Sequence, residues 1–162
     1  MTFDDAVAHV LRFEGGYSFD KNDPGGETNF GISKRSYPAI EIQSLNLEAA
    51  RAIYRRDYWN ALNIEQLPVA IRLLVFDAAV NQGPSAALRM LQACVDVKVD
   101  GVIGPKTLAA LAVVDPLRLI QRYAIARLKR YWSNSNIERY GQGWLARLID
   151  VSILSASRLE VK

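Results

Sequence analysis

The sequence predicts a mainly α protein with one small β hairpin or structured loop near its start. Three observations carry this expectation. An amphipathic helical period opens the chain; a stretch rich in Gly, Asp, Asn, Thr and Pro interrupts it between Tyr17 and Ser33; and the helical period returns at Asn46 and lasts, with breaks, to the end. At 162 residues, 50% hydrophobic and 23% charged, the chain has the length and apolar content for one domain with a real core, and a disordered chain is excluded.

The first helix is expected over Thr2–Glu14, because Phe3, Val7, Val10, Leu11 and Glu14 recur at steps of three and four. Thr2 is the N-cap, Asp4 and Asp5 sit in the first turn, and Gly15-Gly16 stops the helix. Asp23-Pro24-Gly25-Gly26 signals a turn, and Thr28 to Ile32 reads as a short extended piece. Asn46 then caps a helix running to about Trp59. Further helices are expected over Pro68–Gln82, Pro84–Val95, Pro105–Val113, Pro116–Trp132 and Ile137–Leu159. Four prolines sit where helices begin, which suits a residue with fixed φ and no N–H to lose. Asp96–Gly104 is the seam between an N-terminal lobe, residues 1–95, and a C-terminal helical lobe, residues 96–162, expected to pack as one compact unit. No low-complexity segment or internal repeat is present.

Several classes are excluded by composition. No run approaches the roughly 18 to 20 apolar residues of a membrane-spanning helix, and the opening Met1-Thr2-Phe3-Asp4-Asp5 is acidic where a signal peptide would be basic. Cys94 is the one cysteine and His9 the one histidine, so neither an internal disulfide nor a Cys/His zinc cage is available, and no metal or cofactor is expected. The pI of about 9.1 fits nucleic acid, an anionic membrane or an acidic wall polymer alike. Arg118, Arg122, Arg127, Lys129, Arg130, Arg139 and Arg147 alternate with Tyr123, Tyr131, Trp132, Tyr140 and Trp144. Without a helix-turn-helix or a single-strand platform, this reads as a solvated helix face with aromatics turned inward, and no nucleic acid partner is expected.

Glu14 is the first candidate for chemistry. It falls on the apolar face at the end of its helix, where partial burial, the negative end of the helix dipole and acids of the following loop all disfavour the charged form. A carboxyl group kept protonated is what protonates a leaving glycosidic oxygen. The competing reading is a structural acid paired with Arg12 or Arg35. Asp20, Asp23 and Glu27 are the loop carboxylates available as partners. Asp23 stands first because Asp-Pro-Gly-Gly holds the backbone in a defined turn, and each aspartate also fits an Asx-turn role. Asn81 and Gln82, in Phe76-Asp77-Ala78-Ala79-Val80-Asn81-Gln82-Gly83, suit the hydroxyl and acetamido groups of an amino sugar, or a helix C-cap. Tyr17, Tyr58 and Trp59 offer aromatic faces to a sugar ring, or to the core.

The segment Glu14-Gly15-Gly16-Tyr17 through Asp23-Pro24-Gly25-Gly26-Glu27-Thr28-Asn29-Phe30-Gly31-Ile32-Ser33 resembles the signature of glycoside hydrolase family 108, the lysozyme-like N-acetylmuramidases of phages and prophages. The Phe76–Gly83 helix end and the Tyr58-Trp59 pair are similar to the same family. Val99-Asp100-Gly101-Val102-Ile103-Gly104-Pro105-Lys106-Thr107 looks like the Asp-Gly-x-x-Gly-Pro element of small peptidoglycan-binding helical modules. The resemblance implies a lysozyme-like fold, with Glu14 as catalytic acid, Asp23 or Asp20 as second carboxylate, Thr28 positioning water, and Asn29 as a further substrate contact. Thr28 follows Asp23 by five positions, one fewer than the related pattern usually has, and Phe19 stands where relatives often carry Asn. The implied protein is a monomeric endolysin acting on peptidoglycan, held in the host bacterial cytoplasm until lysis and released by a holin-type membrane pore. A lytic transglycosylase and a non-catalytic wall-binding or export-assisting protein are the alternatives.

Overall fold

The structure, a computed structural model, describes residues 1–19 and 26–159. Helix α1 spans Phe3–Leu11. Its start is a reciprocal capping box, in which the Asp5 amide donates to Thr2 Oγ1 (3.2 Å) and the Thr2 amide to Asp5 Oδ2 (3.1 Å). The helix ends three residues earlier than its apolar period predicts. The amides of Arg12 and Phe13 bond to the carbonyls of His9 and Val10, three residues back, and this tighter winding turns Glu14 off the helix line.

Strands β1 (Ser18–Phe19), β2 (Glu27–Asn29) and β3 (Ile32–Ser33) form an antiparallel sheet in the order β1-β2-β3, with Asn29 opposite Ile32. The expected extended piece from Thr28 to Ile32 is therefore folded back on itself. Phe30 (φ 49°) and Gly31 (φ 75°) make a two-residue hairpin loop with both central residues left-handed, which matches the twist of the flanking strands. The buried Asn29 pins the loop that follows, giving its Nδ2 to the carbonyls of Ile42 (3.2 Å) and Leu45 (3.1 Å).

Asn46 caps helix α2 (Leu47–Tyr54) by accepting from the Ala49 amide. The chain then widens into a π-helical turn over Arg55–Asn60, which carries Trp59 into the core, and passes through a short 3₁₀ turn, Ile64–Gln66. Helix α3 (Val69–Gln82) is the centre of the molecule. Residues 73 to 79 are buried without a break, because α1, α4, α6 and α7 pack around the helix, and a helix so enclosed is apolar on nearly every side. Helices α4 (Pro84–Cys94), α5 (Pro105–Val113) and α6 (Pro116–Trp132) each start at a proline, and α7 (Ile137–Ser157) closes the described chain. At the seam, the Gln92 side chain of α4 holds the Asp100-Gly101 turn, donating to Asp100 Oδ1 and the Val102 carbonyl and accepting from the Gly101 amide. A single buried cluster runs from Phe3 to Val151. No helix among the described residues is long and apolar enough to cross a membrane.

Candidate active site

Glu14 lies in the turn after α1, with 18% of its side chain exposed. Its Oε1 accepts from Arg147 Nη1 at 2.8 Å, across 133 residues of sequence. Its Oε2 rests against Gly31, where a β-carbon would fall 2.6 Å from that oxygen and 2.6 Å from the Tyr54 hydroxyl. The glycine of the hairpin thus supplies both the left-handed turn and the space the carboxylate occupies. Tyr54, at the end of α2, donates to the Phe30 carbonyl at 2.9 Å. Burial, and then the charge of Glu14, push its phenol well above the ordinary tyrosine range, so it remains a hydroxyl donor.

Arg147 does not stand alone. Its Nε donates to Asp77 Oδ1 (2.7 Å), and Asp77 Oδ2 accepts from Arg127 Nη2 (2.7 Å). Asp77 and Arg127 are both 0% exposed. Burial works against the charge on each guanidinium, and Asp77 outweighs it together with Tyr131 and Tyr123 at Arg127 and with Glu14 at Arg147, so both arginines are raised. Arg127 continues the network to the Tyr131 hydroxyl (2.9 Å) and Gln82 Oε1 (3.1 Å), and Tyr131 donates to Asn81 Oδ1 (2.6 Å). Two carboxylates and two guanidiniums thus form one chain from the turn after α1 through α3 into α6 and α7. Two residues of the expected solvated basic face, Arg127 and Arg147, are its buried centre, while Arg118, Arg122, Lys129, Arg130 and Arg139 remain exposed. The partner of Glu14 is neither Arg12 nor Arg35.

The other expected site residues are dispersed. Thr28 sits mid-strand in β2, opposite Ser18 and Ser33. Tyr17 is 47% exposed, and its hydroxyl is raised chiefly by its hydrogen bond to Glu27. Tyr58 is half-buried, tilted against Tyr54. Trp59 is 2% exposed, packed edge-on to Phe3 and Phe76 with its indole N–H given to Glu65, so its face is spent in the core. Asn29 is likewise a loop anchor. Asn81 and Gln82 are engaged with Tyr131 and Arg127. Asp20 and Asp23 lie outside the described residues. Among the described residues, no cluster of His, Cys, Asp and Glu is arranged to hold a metal.

Arg147, Asp77, Arg127 and Tyr54 are the surroundings of Glu14 that sequence reasoning did not assign to the site, and Gly31 stands there as more than a turn glycine. Two of them carried a signal. Asp77 is an acid inside an apolar run, and Arg127 falls on the stripe Leu119, Tyr123, Arg127, Tyr131, which buries one face of α6.

Comparison with known proteins fits this geometry. The model of the family Glycosyl hydrolase 108 matches residues 7–83. A solved structure, "Structure of Brucella abortus SagA", is 35% identical and superposes with a TM-score of 0.90 over 99% of this chain and 98% of that one. The chain belongs to glycosyl hydrolase family 108. A second model, "Predicted Peptidoglycan domain", matches residues 86–149 of this family 108 hydrolase, so the two matches meet at the α3–α4 junction. No curated protein is similar enough in sequence to count as a relative. Membership implies a glycoside hydrolase of muramidase type, and the second match supports peptidoglycan as its substrate.

Proposed function

We propose that this hydrolase cleaves the β-1,4 bond between N-acetylmuramic acid and N-acetylglucosamine, with Glu14 as general acid. The observation that carries the reading is the two-sided hold on Glu14: Arg147 fixes Oε1, and Gly31 and Tyr54 fix the surroundings of Oε2. A carboxyl group restrained at one oxygen presents the other in a fixed direction, which is the positioning that proton delivery to a leaving oxygen needs. In its protonated form Glu14 passes the Oε2 proton to O4 as the C1–O4 bond breaks, and Arg147 stabilises the carboxylate left behind. A loop acid, Asp23 before Asp20, is the second carboxylate: it stabilises the oxocarbenium-like carbon or orients the water that adds there, with Thr28 in support, and the proton the water loses passes to that acid or back to Glu14. Tyr17 and Tyr58 serve as sugar contacts.

The test is a digest of purified murein by wild type and Glu14→Gln, read by mass. Reducing ends from wild type and none from a folded Glu14→Gln support the assignment. Activity in the variant refutes it, and anhydro ends would make the enzyme a transglycosylase. The endolysin role, with release through a holin-type pore, rests on the resemblance of the Glu14–Ser33 segment and is tested by lysis on co-expression with a holin. The division into lobes at residues 95 and 96 belongs to the same reading, and proteolysis within 96–104 tests it.

A further inference from the structure

Where α3 ends, the corner between α6 and α7 encloses a cavity of about 140 Å³, lined by Asn81, Gln82, Arg130, Tyr131, Asn134 and Trp144. Its side chains leave several donors unpaired. The Tyr131 hydroxyl accepts from Arg127 Nη2, so its single proton goes to Asn81, and this fixes the Asn81 amide with oxygen inward and Nδ2 outward. Asn134 Oδ1 accepts from the Asn136 amide at 2.9 Å, which commits that oxygen too and leaves Nδ2 as donor. Gln82 is used at both ends by Arg127. Unpaired side-chain donors in the wall are thus Asn81 Nδ2, Asn134 Nδ2, the Trp144 indole N–H and the Arg130 guanidinium, none of which finds an acceptor among the described residues. Trp144, stacked on Tyr131 at 5.2 Å, is the apolar wall.

A pocket with several unpaired side-chain donors, one of them cationic, suits a carboxylate. The volume, equal to about four or five waters, takes a carboxylate and its adjoining carbons. It falls short of the roughly 300 Å³ at which pockets enclose a whole small ligand. Asn81 is one turn beyond Asp77 on α3, about 6 Å along the axis, so the pocket lies beside the network that holds Glu14.

We propose that this pocket is an accessory subsite for a carboxylate of peptidoglycan, borne either by the peptide stem or by the lactyl group of muramic acid. The proposal rests on the peptidoglycan-hydrolase reading above. Arg130 supplies the charge, the two asparagine amides fix the orientation, and the aliphatic part of the ligand lies on Trp144.

The experiment measures initial rates of wild type, Arg130→Gln, Asn134→Asp and the control Arg118→Gln. The substrates are soluble peptidoglycan strands bearing their stems, and the same strands stripped by an amidase to expose lactyl carboxylates. Arg130→Gln should raise KM about tenfold with kcat nearly unchanged, the loss of one charge-assisted hydrogen bond used equally in ground and transition states. Asn134→Asp should raise it at least as far by placing a second carboxylate in the pocket. A rise on stem-bearing strands alone supports the subsite and assigns the carboxylate to the peptide; a rise on stripped strands supports it and assigns the lactyl group. If Arg130→Gln matches Arg118→Gln on both, the subsite is refuted while the hydrolase reading stands. Inactivity of wild type on both refutes the hydrolase reading itself.

Discussion

Replacing Asp77 with leucine removes the one carboxylate shared by Arg127 and Arg147. Both guanidiniums remain, Arg127 with no exposed surface and Arg147 with its Nη1 still on Glu14. Breaking a buried pair from one side costs about 3 to 5 kcal/mol, because the remaining charge has neither water nor a counter-ion. Against a total stability of about 5 to 15 kcal/mol, that is a large fraction. At this chain length each kcal/mol moves Tm by about 2 to 4 °C, so a fall of about 6 to 20 °C is expected. Arg127→Met alone should be costly as well, leaving Asp77 with Arg147 only and Gln82 Oε1 without its donor, while the Tyr131 hydroxyl keeps its bond to Asn81. The double variant removes one charge of each sign and leaves Arg147 paired with Glu14. Its cost should fall short of the sum of the singles by about 2 kcal/mol. Urea unfolding of the four proteins, followed by circular dichroism, measures each term. An Asp77→Leu cost under about 1 kcal/mol, or strict additivity in the cycle, would refute the view that these charges stabilise the fold as a unit.

Gly31→Ala places a β-carbon 2.6 Å from Glu14 Oε2 at a φ of +75°. Displacing the carboxylate by about 1 Å should cost about 100-fold in murein turnover while the dichroism spectrum is retained; turnover within a factor of about two of wild type would show that Gly31 sets no constraint on Glu14. The buried Cys94 thiol is pushed up to about 11, chiefly by burial. A thiol reagent at pH 8 should therefore leave native protein unlabelled and label it fully in denaturant, and rapid native labelling would contradict the placement. His9 is lowered below its ordinary 6.5, first by burial, with Asp150 at 3.2 Å opposing the shift. The folded state binds this proton less readily than the unfolded chain, so the contribution of His9 is full above pH 6.5 and is lost as pH falls. Stability should drop as pH falls below 6.5, and the drop should shrink in His9→Gln; an unchanged pH slope in that variant would remove His9 as its source.

Most of the secondary structure was legible because its signals are local. Asn46 and the prolines at 84, 105 and 116 start helices where caps and fixed φ require it, and α3, α5 and α6 end where the apolar period stops. The exceptions have local causes on a finer scale. Helix α1 stops at Leu11 because its last amides switch to nearer carbonyls, and the Phe30-Gly31 hairpin rests on a left-handed phenylalanine, which composition does not announce. In the site, the position of Glu14 beside the Gly-rich hairpin was readable, but not what holds it.

By itself, then, the sequence determined the helical architecture, the family resemblance and the choice of Glu14 as the acid to test. The tertiary structure decided which of many arginines meets that acid, that Arg127 and Arg147 are interior, that Trp59 and Asn29 are structural, and that unpaired donors gather in the pocket beside Trp144. The physical reason is one of range. Caps, turns and periodicity are set by neighbours within about four residues, whereas the contact of Glu14 with Arg147 spans 133 residues and exists only once α6 and α7 close over α3.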